Sequence, residues 1–330
     1  MKLSILDQVP VSKNTSVTEA LSGTLKLARH AEEMGYSRYW FAEHHGTRGM
    51  GSTSPEILMS YIASNTKSIR VGSGGVLLPQ YSPYKVAENF RQLEALFPGR
   101  IDLGVGRSPG GTRKIRNALL DGSAKSIEEF PRQLNDLIYY ITDSIPSDHP
   151  YHGIKAAPFT KTVPPIWVLG LGENSAELTG GLGLNYVFGH FINPSRGKEA
   201  FTAYRKSFEP SLFSPAPGSL SAVFVICGKN DEEAEERALS QDLWLLRVEK
   251  GLDSRVPSIE EAKAASYSES DRTVVLRNRK RMIIGGPEKV KNELAELSER
   301  YETEEFMVLT NLHSFEHKVQ SFERLAELYL

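Results

Sequence analysis

The feature that most constrains this chain is a regular alternation of short apolar runs with longer amphipathic stretches. Strand-like runs fall at 3–6, 39–42, 69–78, 101–105, 166–169, 186–188, 222–227 and 306–309. Most are continuous apolar runs, the pattern of parallel strands buried on both faces. Helical patterns lie between them. Residues 16–34 place Ala20, Leu21, Leu25, Leu27, Ala28 and Ala31 on helical spacing and stop at Gly35, a residue suited to a left-handed cap. Ser54-Pro55 and Ser82-Pro83 each open a further helix, with serine as the cap and proline in the first turn. Patterns at 126–141, 175–182, 195–208, 231–247, 287–301 and 314–328 complete the set. Repeated strand–helix order predicts a parallel sheet. Eight such units in 330 residues predict an α/β chain closed as a (β/α)8 TIM barrel, one domain spanning 1–330. No G-x-G-x-x-G follows the first strand run, which argues against an open dinucleotide-binding sheet.

Two connections are long. Positions 106–123 are rich in Gly, Arg and Ser and lack a hydrophobic period. Positions 228–304 are too many for one loop. They predict the seventh barrel helix plus an insertion between strands seven and eight, at about 250–281, of the kind that forms lids. Lys and Arg total 39 against 41 Asp and Glu, so charge offers no case for nucleic acid or an anionic membrane. No apolar stretch approaches the roughly 20 residues of a membrane helix. The single cysteine, Cys227, excludes an internal disulfide and a thiolate metal cage, and suits a reducing compartment. The expectation is a cytoplasmic protein.

In a parallel barrel the working groups collect at the C-terminal strand ends. Those ends carry Asp7 and Gln8, then Glu43, His44 and His45, the glycines at 72–75, Arg107, the turn 170–175, His190, Cys227, and Asn311 with His313. Alternation along an extended chain puts Glu43 and His45 on one side and His44 on the other. That pattern serves either proton transfer to a ligand or a Glu–His brace between strands. Gly72, Gly74 and Gly75 inside a strand run mark a flat ligand against the strand or a bulge that closes the barrel. Gly104-Val105-Gly106-Arg107-Ser108-Pro109-Gly110-Gly111 and Gly170-Leu171-Gly172-Glu173-Asn174-Ser175 are glycine turns at strand ends. With Arg107 they point to a phosphate-bearing ligand held by backbone N–H groups and a guanidinium. The basic run 277–281 reads as a solvated helix face, and Cys227 as a buried structural thiol.

At these residues the chain resembles the bacterial luciferase-like flavin monooxygenase family, in its short single-chain branch. The resemblance runs from Leu3 nearly to the end. It rests on Leu6-Asp7-Gln8, Tyr39-Trp40-Phe41-Ala42-Glu43-His44-His45, Arg70-Val71-Gly72-Ser73-Gly74-Gly75-Val76, Gly99-Arg100-Ile101-Asp102-Leu103-Gly104 and Glu305-Phe306-Met307-Val308-Leu309-Thr310. It implies a barrel that binds FMN as FMNH2, adds O2 at the flavin C4a carbon as a hydroperoxide, and oxidises a small organic substrate. It implies His44 as the catalytic residue and a cis peptide at Gly74-Gly75. It implies cofactor contacts from Glu43, His45, Gly74, Gly75, Arg107, Gly170, Gly172, Asn174, Ser175 and His190, with no metal. It implies a separate flavin reductase using NAD(P)H as a source of the reduced flavin, and barrels that pair as a homodimer. Two departures stand out. Gly106 replaces luciferase's reactive cysteine, which removes that thiol's role. Gly170-Leu171-Gly172 replaces a Gly-Ser-Ser turn, which leaves phosphate to backbone N–H groups, Ser175 and Arg107 and implies weak flavin affinity. The competing readings are a flavin-binding protein without turnover, a flavin- or F420-dependent reductase, and a metal hydrolase using His44, His45 and His190. The diverging adjacent histidines argue against the last.

Overall fold

The structure, a computed structural model, describes residues 1–108, 110–123 and 125–330, so Pro109 of the Arg107 turn lies outside the described residues. The strands are β1 Lys2–Asp7, β2 Arg38–Phe41, β3 Arg70–Ser73, β4 Val76–Leu77, β5 Ile101–Gly106, β6 Ile166–Gly170, β7 Asn185–Gly189, β8 Ser219–Cys227, β9 Met282–Gly285 and β10 Glu305–Leu309. The helices are α1 Val17–Glu33, α2 Pro55–Ala63, α3 Pro83–Leu96, α4 Arg113–Leu119, α5 Phe130–Thr142, α6 Glu173–Gly181, α7 Gly197–Ser207, α8 Asp231–Glu249, α9 Ile259–Ala264, α10 Glu269–Arg279, α11 Pro287–Tyr301 and α12 Phe315–Tyr329. Every named strand pairing is parallel, in the order β10-β1-β2-β3-β5-β6-β7-β8, and β8 pairs back with β10 to close the ring. This is the expected (β/α)8 barrel.

Three features depart from the sequence reading. The expected third strand is broken in two, β3 pairing the first half of β5 and β4 the second. The break is the Gly74–Gly75 peptide, which is cis, as the resemblance implies. The excursion between β8 and β10 holds α8, α9, α10, β9 and α11. There β9, unread in the sequence, pairs the end of β8 beyond the reach of β7. Finally, Ser54 and Ser82 occupy cap positions but form no side-chain cap bond, so proline at the first turn opens those helices. Ser16, by contrast, forms a full capping box with Glu19, and Gly35 is left-handed at φ +89°.

Two apolar layers hold the barrel. One lies between strands and helices and contains Leu3, Tyr39, Val71, Phe90, Ile101, Val168, Phe188, Val223 and Phe306, among others. The second fills the barrel interior with Leu6, Trp40, Trp167, Val187, Ala222 and Met307. Trp40 and Trp167 meet edge-on at 5.5 Å. A Cβ on Gly72 would lie 2.4 Å from Trp40 Nε1, and one on Gly104 would lie 2.0 Å from the Ser73 carbonyl oxygen. These glycines make room for the interior and for strand contact. Below the tryptophans, buried Asp102 accepts from Arg38, Arg70 and Trp40 Nε1, and Arg38 also reaches Glu305. This polar plug closes the N-terminal end and leaves the C-terminal mouth as the open side.

Candidate active site

The C-terminal strand ends surround a cavity of about 600 Å³, within the range of small-molecule and cofactor sites. Leu6, Ala42, Gly74, Gly75, Val187, Ala222 and Met307 form its apolar base. Gln8, Glu43 and His44 line it from the β1–β2 side. Arg107, Gly170, Gly172, Asn174, Ser175 and Arg196 line it from the ends of β5, β6 and β7. By strand order these two groups lie across the mouth from each other.

The two glycine turns form one end of the cavity. Gly172 precedes α6 with no side-chain cap, so the opening turn of α6 borders the cavity as an anion-attracting end. Ser175 Oγ donates to the Gly172 carbonyl at 2.8 Å, which orders the turn. Gly170 is required because a Cβ there would lie 2.1 Å from Ser175 Oγ. Arg107 is exposed, and among the described residues nothing pairs with its guanidinium. Arg196, which sequence reasoning missed, pairs with Glu173 at 2.7 Å. The pairing and the residue's own backbone N–H hold the Glu173 carboxyl below its usual range. The signal for Arg196 was its position: Pro194-Ser195-Arg196 follows β7 as Arg107 follows β5.

The Glu43-His44-His45 segment divides its labour by alternation. Glu43 Oε1 meets His45 Nε2 at 2.7 Å and also accepts from Tyr81 Oη. Glu43 Oε2 accepts from the Leu77 backbone N–H at 2.8 Å. Glu43 thus ties β2 to β4 just beyond the Gly74–Gly75 peptide. Its atoms border the cavity while both carboxylate oxygens are engaged. His45 belongs to that brace and does not line the cavity. Burial, then the Glu43 carboxylate, pushes the Tyr81 phenol well above its usual range.

His44 points the other way and lines the cavity. Burial, reinforced by neighbouring His45, pushes its imidazole down to about 4. It is therefore uncharged at neutral pH. His190 also faces away from the cavity. Its side chain turns outward to Tyr301, with Nδ1 2.8 Å from the phenol oxygen, and does not line the cavity. Tyr301 stacks on Phe201 in the strand–helix layer and draws the imidazole there. Cys227 is buried, which raises its thiol to about 11 and makes it inert as a nucleophile. The basic run 277–281 is zipped to α8: Arg277 and Arg281 pair with Glu249, and Arg279 with Glu235 and Asp242. It is not part of the site.

The profile of the luciferase-like monooxygenases matches residues 1–304. The chain belongs to this family. It is 64% identical to Bacillus subtilis protein YceB, over 99% of each chain. It is 35% identical to the N-acetyl-S-alkylcysteine monooxygenase of the same organism, over 100% of this chain and 98% of the relative. The crystal structure of apo-MsnO8 superposes with a TM-score of 0.89 at 34% identity, over 99% of this chain and 98% of that one. The oxygenating constituent of 3,6-diketocamphane monooxygenase in complex with FMN, from the CAM plasmid of Pseudomonas putida, shares the fold. Its TM-score is 0.70 at 18% identity, over 99% and 97% of the two chains. The protein is an enzyme of the luciferase-like monooxygenase type. No helix among the described residues is long and apolar enough to cross a membrane.

Proposed function

We propose that this luciferase-like monooxygenase binds reduced FMN in the barrel mouth and uses O2 to oxidise a small organic substrate. One observation carries the reading: a single cavity joins an uncapped helix start and a free arginine at one side to a side-chain-free Gly74–Gly75 floor and a neutral histidine at the other. A ribityl phosphate and a planar ring need those two ends. The residues present fit FMN: Arg107 and the first turn of α6 would hold the phosphate, and Gly74 and Gly75 would carry the ring. When bound, the cofactor supplies O2 activation, chemistry that no side chain of this protein has.

The chain's own residues do the rest. The apolar base excludes water from the reacting face. Glu43 locks the strand ends that form the floor. His44, uncharged at neutral pH, handles a proton at the reacting atoms. The apolar walls Leu77, Leu169 and Phe191 suit an alkyl-bearing substrate, and the N-acetyl-S-alkylcysteine monooxygenase directs the first screen to thioethers. Reduced flavin is delivered by a separate NAD(P)H-dependent reductase.

The test is anaerobic binding of FMNH2, followed by rapid mixing with O2 and candidate thioethers, with FMN spectra and product mass recorded. Product one oxygen heavier supports the reading. Tight FMNH2 binding with immediate reoxidation and unaltered substrate overturns it. His44→Gln is expected to lower turnover about 100-fold while leaving FMN affinity within twofold.

A further inference from the structure

We propose that Gln8, oriented by Asn311, is a positioning residue that keeps the Nε2 atom of His44 free of a proton. The inference deepens the reading of His44 as the proton-handling group and rests on it for its mechanistic meaning. The tautomer itself is independent of that reading.

Three buried amides form a chain that ends on the imidazole. Gln8 follows β1 and Asn311 follows β10, neighbouring strands that bring together residues 303 positions apart. Gln8 is 6% exposed and Asn311 1%. Asn311 Nδ2 donates to Gln8 Oε1 at 2.6 Å. That bond occupies the Gln8 oxygen and aims its NH2 at His44 Nε2, 3.4 Å away. An amide NH2 only donates, so the facing ring nitrogen accepts, and the imidazole proton resides on Nδ1. In most proteins a partner on one ring nitrogen sets the tautomer. Here Nδ1 is buried and, among the described residues, has no hydrogen-bond partner. Nothing on that side competes, and Gln8 alone decides.

The far end of the chain is anchored by the excursion between β8 and β10. The Asn311 backbone N–H donates to Gln241 Oε1 at 3.3 Å, and Gln241 Nε2 reaches Met282 Sδ at 3.4 Å. Gln241 lies on α8 and Met282 opens β9. The excursion between β8 and β10 therefore reaches the catalytic histidine through Asn311. His44 enters the reaction as an acceptor: the proton lost by a reacting atom is taken at Nε2, and the imidazolium then carries one proton on each nitrogen. The titratable neighbour that acts on this imidazole is His45.

The test is 15N NMR of the histidine side chains in the full-length protein at pH 7.5, with His44 assigned through His44→Gln. The expected spectrum shows a protonated Nδ1 and a bare Nε2, whose resonance lies far downfield. Asn311→Asp replaces the donor with a carboxylate. The Gln8 amide then turns over, presents its oxygen to Nε2, and the two resonances exchange. Gln8→Met, which removes the donor without adding charge, gives a mixture of tautomers even if the aspartate variant misfolds. In turnover, Asn311→Asp is expected to lower kcat by about tenfold or more with FMN affinity unchanged. A wild-type Nε2–H tautomer overturns the proposal, as does a wild-type pattern retained in folded Asn311→Asp. Normal turnover in His44→Gln would instead overturn the catalytic reading and leave the tautomer standing.

Discussion

Removing the positive partner of Asp7 provides a quantitative test of how the β1 end is held. Asp7 is buried, with Oδ1 2.9 Å from Lys318 Nζ on α12. It also accepts from Thr24 on α1, from Tyr39 on β2 and from the Val9 backbone N–H. Burial alone would raise its pKa. The Lys318 charge and the donated hydrogen bonds outweigh burial and hold it below the usual value. At this separation two unit charges attract by about 6 kcal/mol at an effective dielectric of ~20. Much of that only offsets desolvation. Breaking such a pair from one side costs about 3–5 kcal/mol, because the other charge is left buried. Lys318→Met, of similar length, is therefore expected to lose that amount. With a melting entropy of about 2.1 cal/mol/K per residue, the loss corresponds to a fall in Tm of roughly 4–7 °C. Asp7→Asn in the same background neutralises the stranded charge and is expected to recover at least half. The sign of the pH dependence follows from the lowered pKa. The pair's stabilisation is present above the unfolded carboxylate value and disappears as pH falls through the lower folded value, so the Lys318→Met deficit shrinks in acid. Urea midpoints at constant m, measured from pH 7 downward, give the numbers. A single-variant cost below about 1 kcal/mol, or a double variant no more stable than the single, refutes the reasoning.

Three further outcomes follow from the site. Arg107→Gln removes a charged donor worth about 1.5–3 kcal/mol, so FMN affinity should fall roughly 10–100-fold while riboflavin, which lacks the phosphate, binds as before; titration with both flavins checks it. Gly106→Cys meets open space among the described residues, none of which lies within 4 Å of a Cβ there, so the variant should fold with unchanged Tm and its thiol should react rapidly with a disulfide reagent until flavin is bound. Gly104→Ala places a Cβ 2.0 Å from the Ser73 carbonyl, so the β3–β5 contact must open; soluble expression should drop sharply, and a variant with wild-type Tm would show that the strands separate without cost.

Much of the architecture was legible because its causes are local. Continuous apolar runs at 166–169 and 222–227 report burial on both faces, and the helical spacing of Leu27, Ala28 and Ala31 reports one buried stripe. Their order forces parallel pairing. The glycine turns at Gly170 and Gly172 were legible as an anion-attracting end for the same reason, since a helix start without a side-chain cap is a property of a few adjacent residues. Glu43 and His45 were correctly placed on one side by alternation alone. What alternation leaves open is which side faces the barrel mouth. Glu43 and His45 turn to Tyr81 and β4, and that choice excludes His45 from the cavity.

The chain order of its polar and apolar residues determined a closed barrel, the strand ends as the working face and His44 as the histidine apart from the Glu43–His45 pair. Tertiary structure alone decided which of these groups meet. His190 stands at a strand end like the others, yet Tyr301, 111 positions away, draws it into the outer layer. Gln8 and Asn311 lie 303 positions apart and become neighbours only when β10 closes on β1. β9 is a strand because the end of β8 runs past β7 and offers it unpaired backbone. A side chain's partner is set by where a distant segment packs, and that packing is a property of the closed barrel as a whole.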